Sequence, residues 1–522
     1  MDREVLLSSG RGTRLACDLS RRRHGVRHAM RTRRTHVGFA YAVVAALIIG
    51  AAAGSSSAHG QQWESATTLA AGGGVNNPYK TRVVTACDVT TAADGTILAT
   101  WYASQPASRP YAQLGTGYVA ALRPGSTKWS SPRVLWRHRH GIHGSTVSDG
   151  TAAECPELVG AGNGGVDAIW HEEDREAVDP KRSIRSRLLR VRMVSRRRDA
   201  AGRWAAARRV PSQSTGWGYP EALANAKGQA LVAVDGPFYW GTYATRSPSG
   251  QWSKARLLVN RPKKGGLAVP FQMAIGNDGM GLLSFADRKN VLKVHTIETE
   301  GTPSGPQVLA HGPCGRGSAP VIAAGPQGRA VAASSCGGSV AVTWVRGSDG
   351  RWGAPQELEP DADDRVNVHV VGTDFDASGA AVLVWLRTRF REDFSATDVE
   401  LREARLAPGA AVWSPPVTAA ASTLAGTTWV NGSYGLQLDE LGAGVAVVTE
   451  QLATSGDQIV AFTRSGDGQW SSPARLSSTD EKLASFDWVD VSKVAFGRGR
   501  GVVLWSTYDP SRVRVATVSL AP

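Results

Sequence analysis

SGDGQWSSPARL, residues 465–476, is a glycine turn, a tryptophan, a proline three residues on and a leucine six residues on. The pattern recurs as TKWSSPRVL at Trp129, GRWAAARRV at Trp204, GQWSKARLL at Trp252, GRWGAPQEL at Trp352 and AVWSPPVTA at Trp413. An eroded copy, GTPSGPQVL, puts Pro303 in the tryptophan slot, and QQWESATTL opens the series at Trp63. A second string alternates with the first: a glycine turn, then five or six small or apolar residues. Its copies end at Trp101, Trp170, Val234, Phe285, Ser334, Trp385, Val448 and Trp505, with spacings of 69, 64, 51, 49, 51, 63 and 57 residues. Short apolar runs bounded by turns such as Asp94-Gly95 and Asp278-Gly279 read as buried strands of hairpins.

A unit of about fifty residues with four strands is a propeller blade. A solenoid would carry atypical capping units at its ends. Here the last unit stops at VRVATVSLAP without its tryptophan strand, whereas Trp63 opens the series with a tryptophan strand and no unit before it. Residues 63 to 70 laid beside the last strands would close a ring and remove an exposed sheet edge. The fold class expected is therefore all-β: one β-propeller of four-stranded blades closed by the N-terminal strand around Trp63. Eight blades follow from the count, or seven if the eroded fourth unit forms no blade of its own.

Upstream of the ring, Arg21 to Arg34 carry seven arginines, and residues 39–54 are the uncharged run FAYAVVAALIIGAAAG, followed by Ser55 to Ala58. A basic segment, an apolar segment and small residues at Ser56 and Ala58 make a secretory signal peptide. The alternative is an uncleaved anchor, although the run is shorter than the roughly 20 residues of a spanning helix. The expected division is 1–58, a signal peptide with a basic N-terminal extension, and 59–522, the propeller. Localisation is expected to be secreted or cell-surface, with no stable membrane span once the leader is cleaved. The alanine, glycine and arginine content suits a bacterium with a GC-rich genome.

The leader holds ten Lys/Arg and three Asp/Glu, half of the net charge of +14. Most of the remaining excess sits between Lys181 and Arg209, with twelve Lys/Arg against Asp199 alone. That stripe could hold an anionic polymer, or form a solvated outer hairpin. Removal of Cys17 with the leader leaves Cys87, Cys155, Cys314 and Cys336, an even set that fits two disulfides in an exported chain. Cys314 precedes the first strand of blade 5 and Cys336 follows the second, so a hairpin brings them together. Cys87 and Cys155 hold near-equivalent places in blades 1 and 2.

The turn-plus-tryptophan repeat resembles the Asp-box of sialidase-like propellers, Ser-x-Asp-x-Gly-x-Thr-Trp. The closest copies are Ser348-Asp349-Gly350-Arg351-Trp352 and Ser465-Gly466-Asp467-Gly468-Gln469-Trp470; both are shorter than the pattern, and other copies lack the acid. The resemblance covers nearly the whole chain after the leader and implies fold more than function. A sialidase would add an early Phe/Tyr-Arg-Ile-Pro segment, an arginine triad and a tyrosine nucleophile with a glutamate partner. The nearest stretch, Tyr79-Lys80-Thr81-Arg82-Val83, departs from the first of these.

Aligned on the second-strand endpoints, Asp88, Glu157 and Glu221 each stand thirteen residues ahead of Trp101, Trp170 and Val234, with Gln272 next. First strands face the channel, so these side chains could form an arc at its mouth. Two carboxylates about 5 to 9.5 Å apart serve glycoside hydrolysis, and several could coordinate calcium; solvated channel residues are the plainer alternative. Tyr239, Trp240 and Tyr243 could stack on sugars, although alternation would make some of them core. His171-Glu172-Glu173-Asp174 lacks a recognised ligand spacing and reads as an acid-base segment paired with neighbouring arginines. No phosphate-cradling glycine loop followed by lysine, no Cys-x-x-Cys and no Gly-x-Ser-x-Gly occurs, so no nucleotide, zinc or serine-hydrolase chemistry is indicated and no cofactor is assigned.

The functions carried forward are a binding module for carbohydrate or another extracellular polymer, a glycoside hydrolase or lyase using the channel-mouth acids, and a protein-interaction scaffold. The leader makes the first prediction: the exported chain should begin at His59, which intact-mass measurement reads directly. An exported chain that retains residues 39–58 would show an anchor instead.

Overall fold

The computed structural model describes residues 63–520 apart from 74–81, 107–111, 144–145, 154, 162–163, 178–185, 212–219, 235–241, 258–271, 288, 298–303, 316–319, 360–364, 393–395, 423–426, 430–434, 453–455, 479, 484–491 and 509. All of these belong to the unit Ala58–Pro522. The described residues form an all-β propeller of eight four-stranded blades, with two 3-10 turns and no α-helix. None of their helices is long and apolar enough to cross a membrane.

Blade 1 is Val83–Thr91, Ile97–Pro106, Ala112–Leu122 and Arg133–His143, and blade 2 is Glu157–Gly160, Val166–Ala177, Ser186–Arg198 and Arg208–Val210. Blade 3 is Pro220–Ala224, Ala230–Val234, Thr242–Arg246 and Arg256–Leu257; blade 4 is Gln272–Ile275, Gly281–Ala286, Leu292–Ile297 and Gln307–Ala310. Blade 5 is Val321–Ala324, Ala330–Cys336, Val340–Arg346 and Gln356–Glu357; blade 6 is Val366–Phe375, Ala381–Phe390, Ala396–Leu406 and Val417–Ser422. Blade 7 is Gly435–Leu438, Gly444–Leu452, Gly456–Arg464 and Ala474–Arg475. Blade 8 is Ser492–Gly497, Arg500–Tyr508 and Ser511–Ser519, and its outer strand is Thr67–Ala71 from the start of the propeller.

Each first strand is paired on one side only and packs against the first strand of the next blade, the eighth against the first, so the eight line a central channel. Ring closure is by Thr67–Ala71 on Ser511–Ser519, with Glu64 N–H donating to the Thr517 carbonyl at 2.8 Å. The tryptophan of the repeat lies outside this strand. In all eight units the outer strand begins four residues after the tryptophan slot: Thr67 after Trp63, Arg133 after Trp129, Gln307 after Pro303, Ala474 after Trp470, and likewise elsewhere. Trp63 packs with Ala66 against the apolar cluster between blades 7 and 8. The fourth unit builds a blade although its slot holds Pro303, so the count is eight.

In blade 7 both hairpins use one turn. Gly468 donates to the Ser465 carbonyl at 2.9 Å and Ser465 to that of Gln469 at 2.9 Å; Gly442 and Asp439 repeat this in the first hairpin of blade 7. The glycine has φ of 88° at Gly468 and 77° at Gly442, a left-handed conformation that side chains resist. An arginine six residues before the tryptophan links the two turns. Arg198, Arg246, Arg346 and Arg464 each bridge backbone to Trp204, Trp252, Trp352 and Trp470. Arg246, Arg346 and Arg464 also donate to the glycine carbonyl of the first hairpin, at Gly228, Gly328 and Gly442. Arg246 is fully buried, pairs with Asp167 of blade 2 and lies over the Trp252 ring.

Every junction between blades has its own apolar cluster, and Trp101, Trp170, Trp385 and Trp505, at four of the second-strand endpoints, are almost fully buried. Both disulfides are present, Cys87–Cys155 across the blade 1 to 2 junction with Cα atoms 5.2 Å apart and Cys314–Cys336 at 4.0 Å. An added strand, Thr146–Ala153, pairs with the outer strand of blade 1 and the second strand of blade 2, merging the two into one sheet.

Arg246→Met would leave Asp167 buried beside only the more distant Arg197, at 4.0 Å. Removing one partner of a buried ion pair costs about 3 to 5 kcal/mol. Urea unfolding should show a loss in this range, partly restored by Asp167→Asn in the same chain; a loss below about 1 kcal/mol would show that the pair does not hold blades 2 and 3 together.

Candidate functional site

The antiparallel order of each blade sorts its loops into two sets. Turns between strands 1 and 2 and between strands 3 and 4, which carry the repeat's glycines and tryptophans, lie at one end of the channel. Connections between blades and between strands 2 and 3 lie at the other. The acids predicted for the channel mouth stand toward this second end, since Glu157 and Gln272 are the first residues of their strands and Glu221 the second.

Strand register sets their common level. Asp88 pairs with Thr100, Glu157 with Ile169, Glu221 with Ala233 and Gln272 with Ser284, in each case one residue before the second-strand endpoint. At the same register stand Val321, Gly372, Gly435 and Lys493. One tier of the channel wall is thus a hydrogen-bonding arc on blades 1 to 4, a small or apolar arc on blades 5 to 7, and a lysine on blade 8 between their ends. Asp88, Glu157, Glu221 and Lys493 are half-buried and Gln272 is exposed. Gly372 and Gly435 sit close to the next blade: a Cβ on either would lie 2.6 Å from Leu436 or 2.8 Å from Val494.

The members of the arc differ in duty. Asp88 accepts the backbone N–H of Val89 at 2.8 Å and of Leu158 in blade 2 at 2.7 Å, so its carboxylate also fastens one blade to the next. Opposite it, the Thr100 hydroxyl donates to the Pro156 carbonyl at 2.8 Å, and Ser284 does the same for Pro320. Among the described residues no three His, Cys, Asp or Glu side chains converge as a metal site.

Asp374 was not anticipated from sequence. It accepts N–H groups from Phe375 at 2.8 Å and from Leu438 of blade 7 at 3.0 Å, the arrangement of Asp88 two residues deeper in the channel. Burial raises its carboxyl to about 6, against the opposing effect of those two N–H groups. The other residues at its register are Thr90, Val159, Leu223, Ala274, Ala323, Gln437 and Ala495, with no second acid. The available signal was an aspartate followed by an apolar residue on a first strand, shared by Asp88-Val89 and Asp374-Phe375.

Of the aromatic platform, Tyr239 and Trp240 lie outside the described residues. Tyr243 is buried in the core between blades 3 and 4 with Leu231, Met273 and Phe285, so it contributes packing there rather than a stacking surface. The segment His171 to Asp174 is strand, and Glu172 accepts from His138 at 2.9 Å, Trp170 at 2.9 Å and Arg192. Burial alone would raise Glu172; the three donors outweigh it and hold the carboxyl at about 2. In the basic stripe, residues 181–185 lie outside the described set. Arg192 serves Glu172, Arg196 donates to the carbonyls of Ala205, Val134 and Leu135, and Arg197 donates to that of Ala161. Arg203, Arg208 and Arg209 are exposed, with Arg203 paired to Asp199.

No protein-family model matches the chain, and no curated protein matches it in sequence. Solved structures do resemble it. A lectin from Burkholderia pseudomallei superposes with TM-score 0.42 and 11% identity, covering 79% of this chain and 100% of that one. An ulvan lyase gives 0.39 and 9%, covering 87% and 95%. Trypanosoma rangeli sialidase gives 0.34 and 12%, covering 84% of this chain and 55% of that one. At such identities the likeness to sialidase-type propellers is one of architecture.

Asp374 makes stability depend on pH with a definite sign. Its folded carboxyl binds a proton more tightly than the ordinary value of 3.8, so its contribution is full below about 4 and is lost as pH rises through about 6. Two units correspond to at most about 3 kcal/mol. Urea unfolding between pH 4 and pH 7 should show this decline, and Asp374→Asn should flatten it; an equal slope in the variant would assign the decline elsewhere.

Proposed function

We propose that this chain is an exported binding module that takes a carbohydrate or similar polyhydroxylated polymer at the mouth of its channel. The observation that carries the reading is the tier itself: Asp88, Glu157, Glu221 and Gln272 at one level on four successive blades, facing Val321, Gly372 and Gly435. Hydroxyl-rich ligands are recognised by side chains that accept and donate hydrogen bonds from a fixed frame. Two disulfides support export, since such bonds persist where the surroundings oxidise.

A hydrolase or lyase on the same arc would require two carboxyl groups with divided roles, one protonated and one ionised. Asp88 is tied to two backbone N–H groups, and Asp374 sits at another level, where the first strands of the other blades supply no second acid. Glu157 and Glu221 remain as the pair that an enzyme would use.

A glycan and polysaccharide array with the purified chain, read for retention and for product release, tests the reading. Retention without release is expected, with affinity reduced at least tenfold by Glu157→Ala with Glu221→Ala. Product release that disappears in Glu157→Gln would replace the module with an enzyme. A chain that retains no glycan would point to a scaffold for protein partners.

A further inference from the structure

We infer that the outer edge of blade 1 is a second site, separate from the channel, that binds an extended acidic polysaccharide through Arg133, Arg137 and Arg139. The outer half of this blade, residues 112–143, holds five Lys/Arg and three histidines and no aspartate or glutamate. The three arginines lie on the outer strand Arg133–His143, and all are exposed. None of them has an acid partner among the described residues.

The strand's geometry suits an extended chain. Arg137 and Arg139 pair with Thr116 and Leu114, so they share a face and stand about 7 Å apart along the strand. Arg133 pairs with Val119 beyond the irregularity at Gly117/Tyr118, which turns it to the other face. The added strand Thr146–Ala153 covers the outer edge only from His140 to His143, leaving the stretch from Arg133 to Arg139 without a strand partner on that side. An occupant lying along this edge meets guanidinium groups from both faces.

Beside Arg133 the neighbouring blade adds further positive charge. Arg196 of blade 2 reaches across the junction to the carbonyls of Val134 and Leu135, at 3.3 and 3.1 Å, which sets its charge beside Arg133. Burial, and then the Arg133 charge, lower its proton affinity. Arg208 and Arg209 extend the exposed positive surface on the outer strand of blade 2. Like charges gathered without counter-ions cost stability, and a polyanion relieves that cost on binding.

Sulfates or carboxylates repeated along a sugar chain fit better than nucleic acid. Binding of single strands relies on exposed aromatic rings to stack bases, whereas Trp136 on this strand is buried and stacked on Tyr102 and His138.

The test compares fluorescent dextran sulfate, neutral dextran and a single-stranded oligonucleotide of equal charge, titrated into the purified chain at several salt concentrations. Binding of dextran sulfate that weakens with salt is expected, with neutral dextran inert and the oligonucleotide weaker. Arg133→Gln with Arg137→Gln and Arg139→Gln should lower dextran sulfate affinity at least tenfold while leaving the melting temperature unchanged or higher. Lys227→Gln with Lys254→Gln and Lys289→Gln, on blades 3 and 4, removes the same charge and should change affinity less than threefold. Equal losses in the two triple variants would reduce the effect to net charge and overturn the site, and tighter binding of the oligonucleotide would overturn the polysaccharide. The channel reading is judged on Glu157 and Glu221, so either can fail alone.

Discussion

A ring of blades holds only if its last junction is as well made as the other seven, and here that junction is built from the two ends of the propeller sequence. Thr67–Ala71 completes the blade whose other three strands end at Ser519. Its neighbour is then secured by hydroxyls: Ser511 accepts from Val84 N–H at 2.8 Å and donates to the Val84 carbonyl at 2.9 Å, and Ser506 accepts from Ala86 N–H at 2.6 Å. Opening this seam would expose the apolar faces of blades 8 and 1 together with an unpaired edge.

The same need recurs around the channel with different side chains. Inner strands have no ladder partner on the channel side, so their backbone groups must be satisfied across junctions. Asp88 does this for Leu158, Ser335 for Val370, Asp374 for Leu438 and Gln437 for Phe496. Further out, carboxylates from the connections between blades take up the ring nitrogens of second-strand tryptophans: Glu359 bonds Trp385 and Arg387, and Glu481 bonds Trp505 and Arg514. Glu403 binds Arg405, Arg464 and the Trp470 ring; burial would raise it, and those donors lower it on balance. Polar groups of the interior are therefore largely architectural.

Much of the fold was legible in sequence. The turn-and-tryptophan repeat, the blade number, the strand borrowed from the start and both cysteine pairs are readable because they depend on residues within one unit or at matching points of two. Less legible was the placement of the tryptophan, four residues ahead of the outer strand, since its backbone bridge to an arginine six residues earlier becomes apparent only once the turn is folded. The strand Thr146–Ala153 was missed because it lies in no repeat and finds both of its partners in space.

The candidate site divides along the same line. By itself the sequence determined that Asp88, Glu157, Glu221 and Gln272 share a register, because strand pairing counts residues back from a common endpoint. It also determined that residues 112–143 are basic without acids. Only the tertiary structure decided that Asp88 is also engaged with Leu158, 70 residues away, that Tyr243 is core, and that Arg196 turns inward while Arg137 and Arg139 stay exposed. The reason is physical: register is a local property of hydrogen-bonded strands, whereas the use of a charged side chain depends on what a neighbouring blade brings within about 3 Å of it.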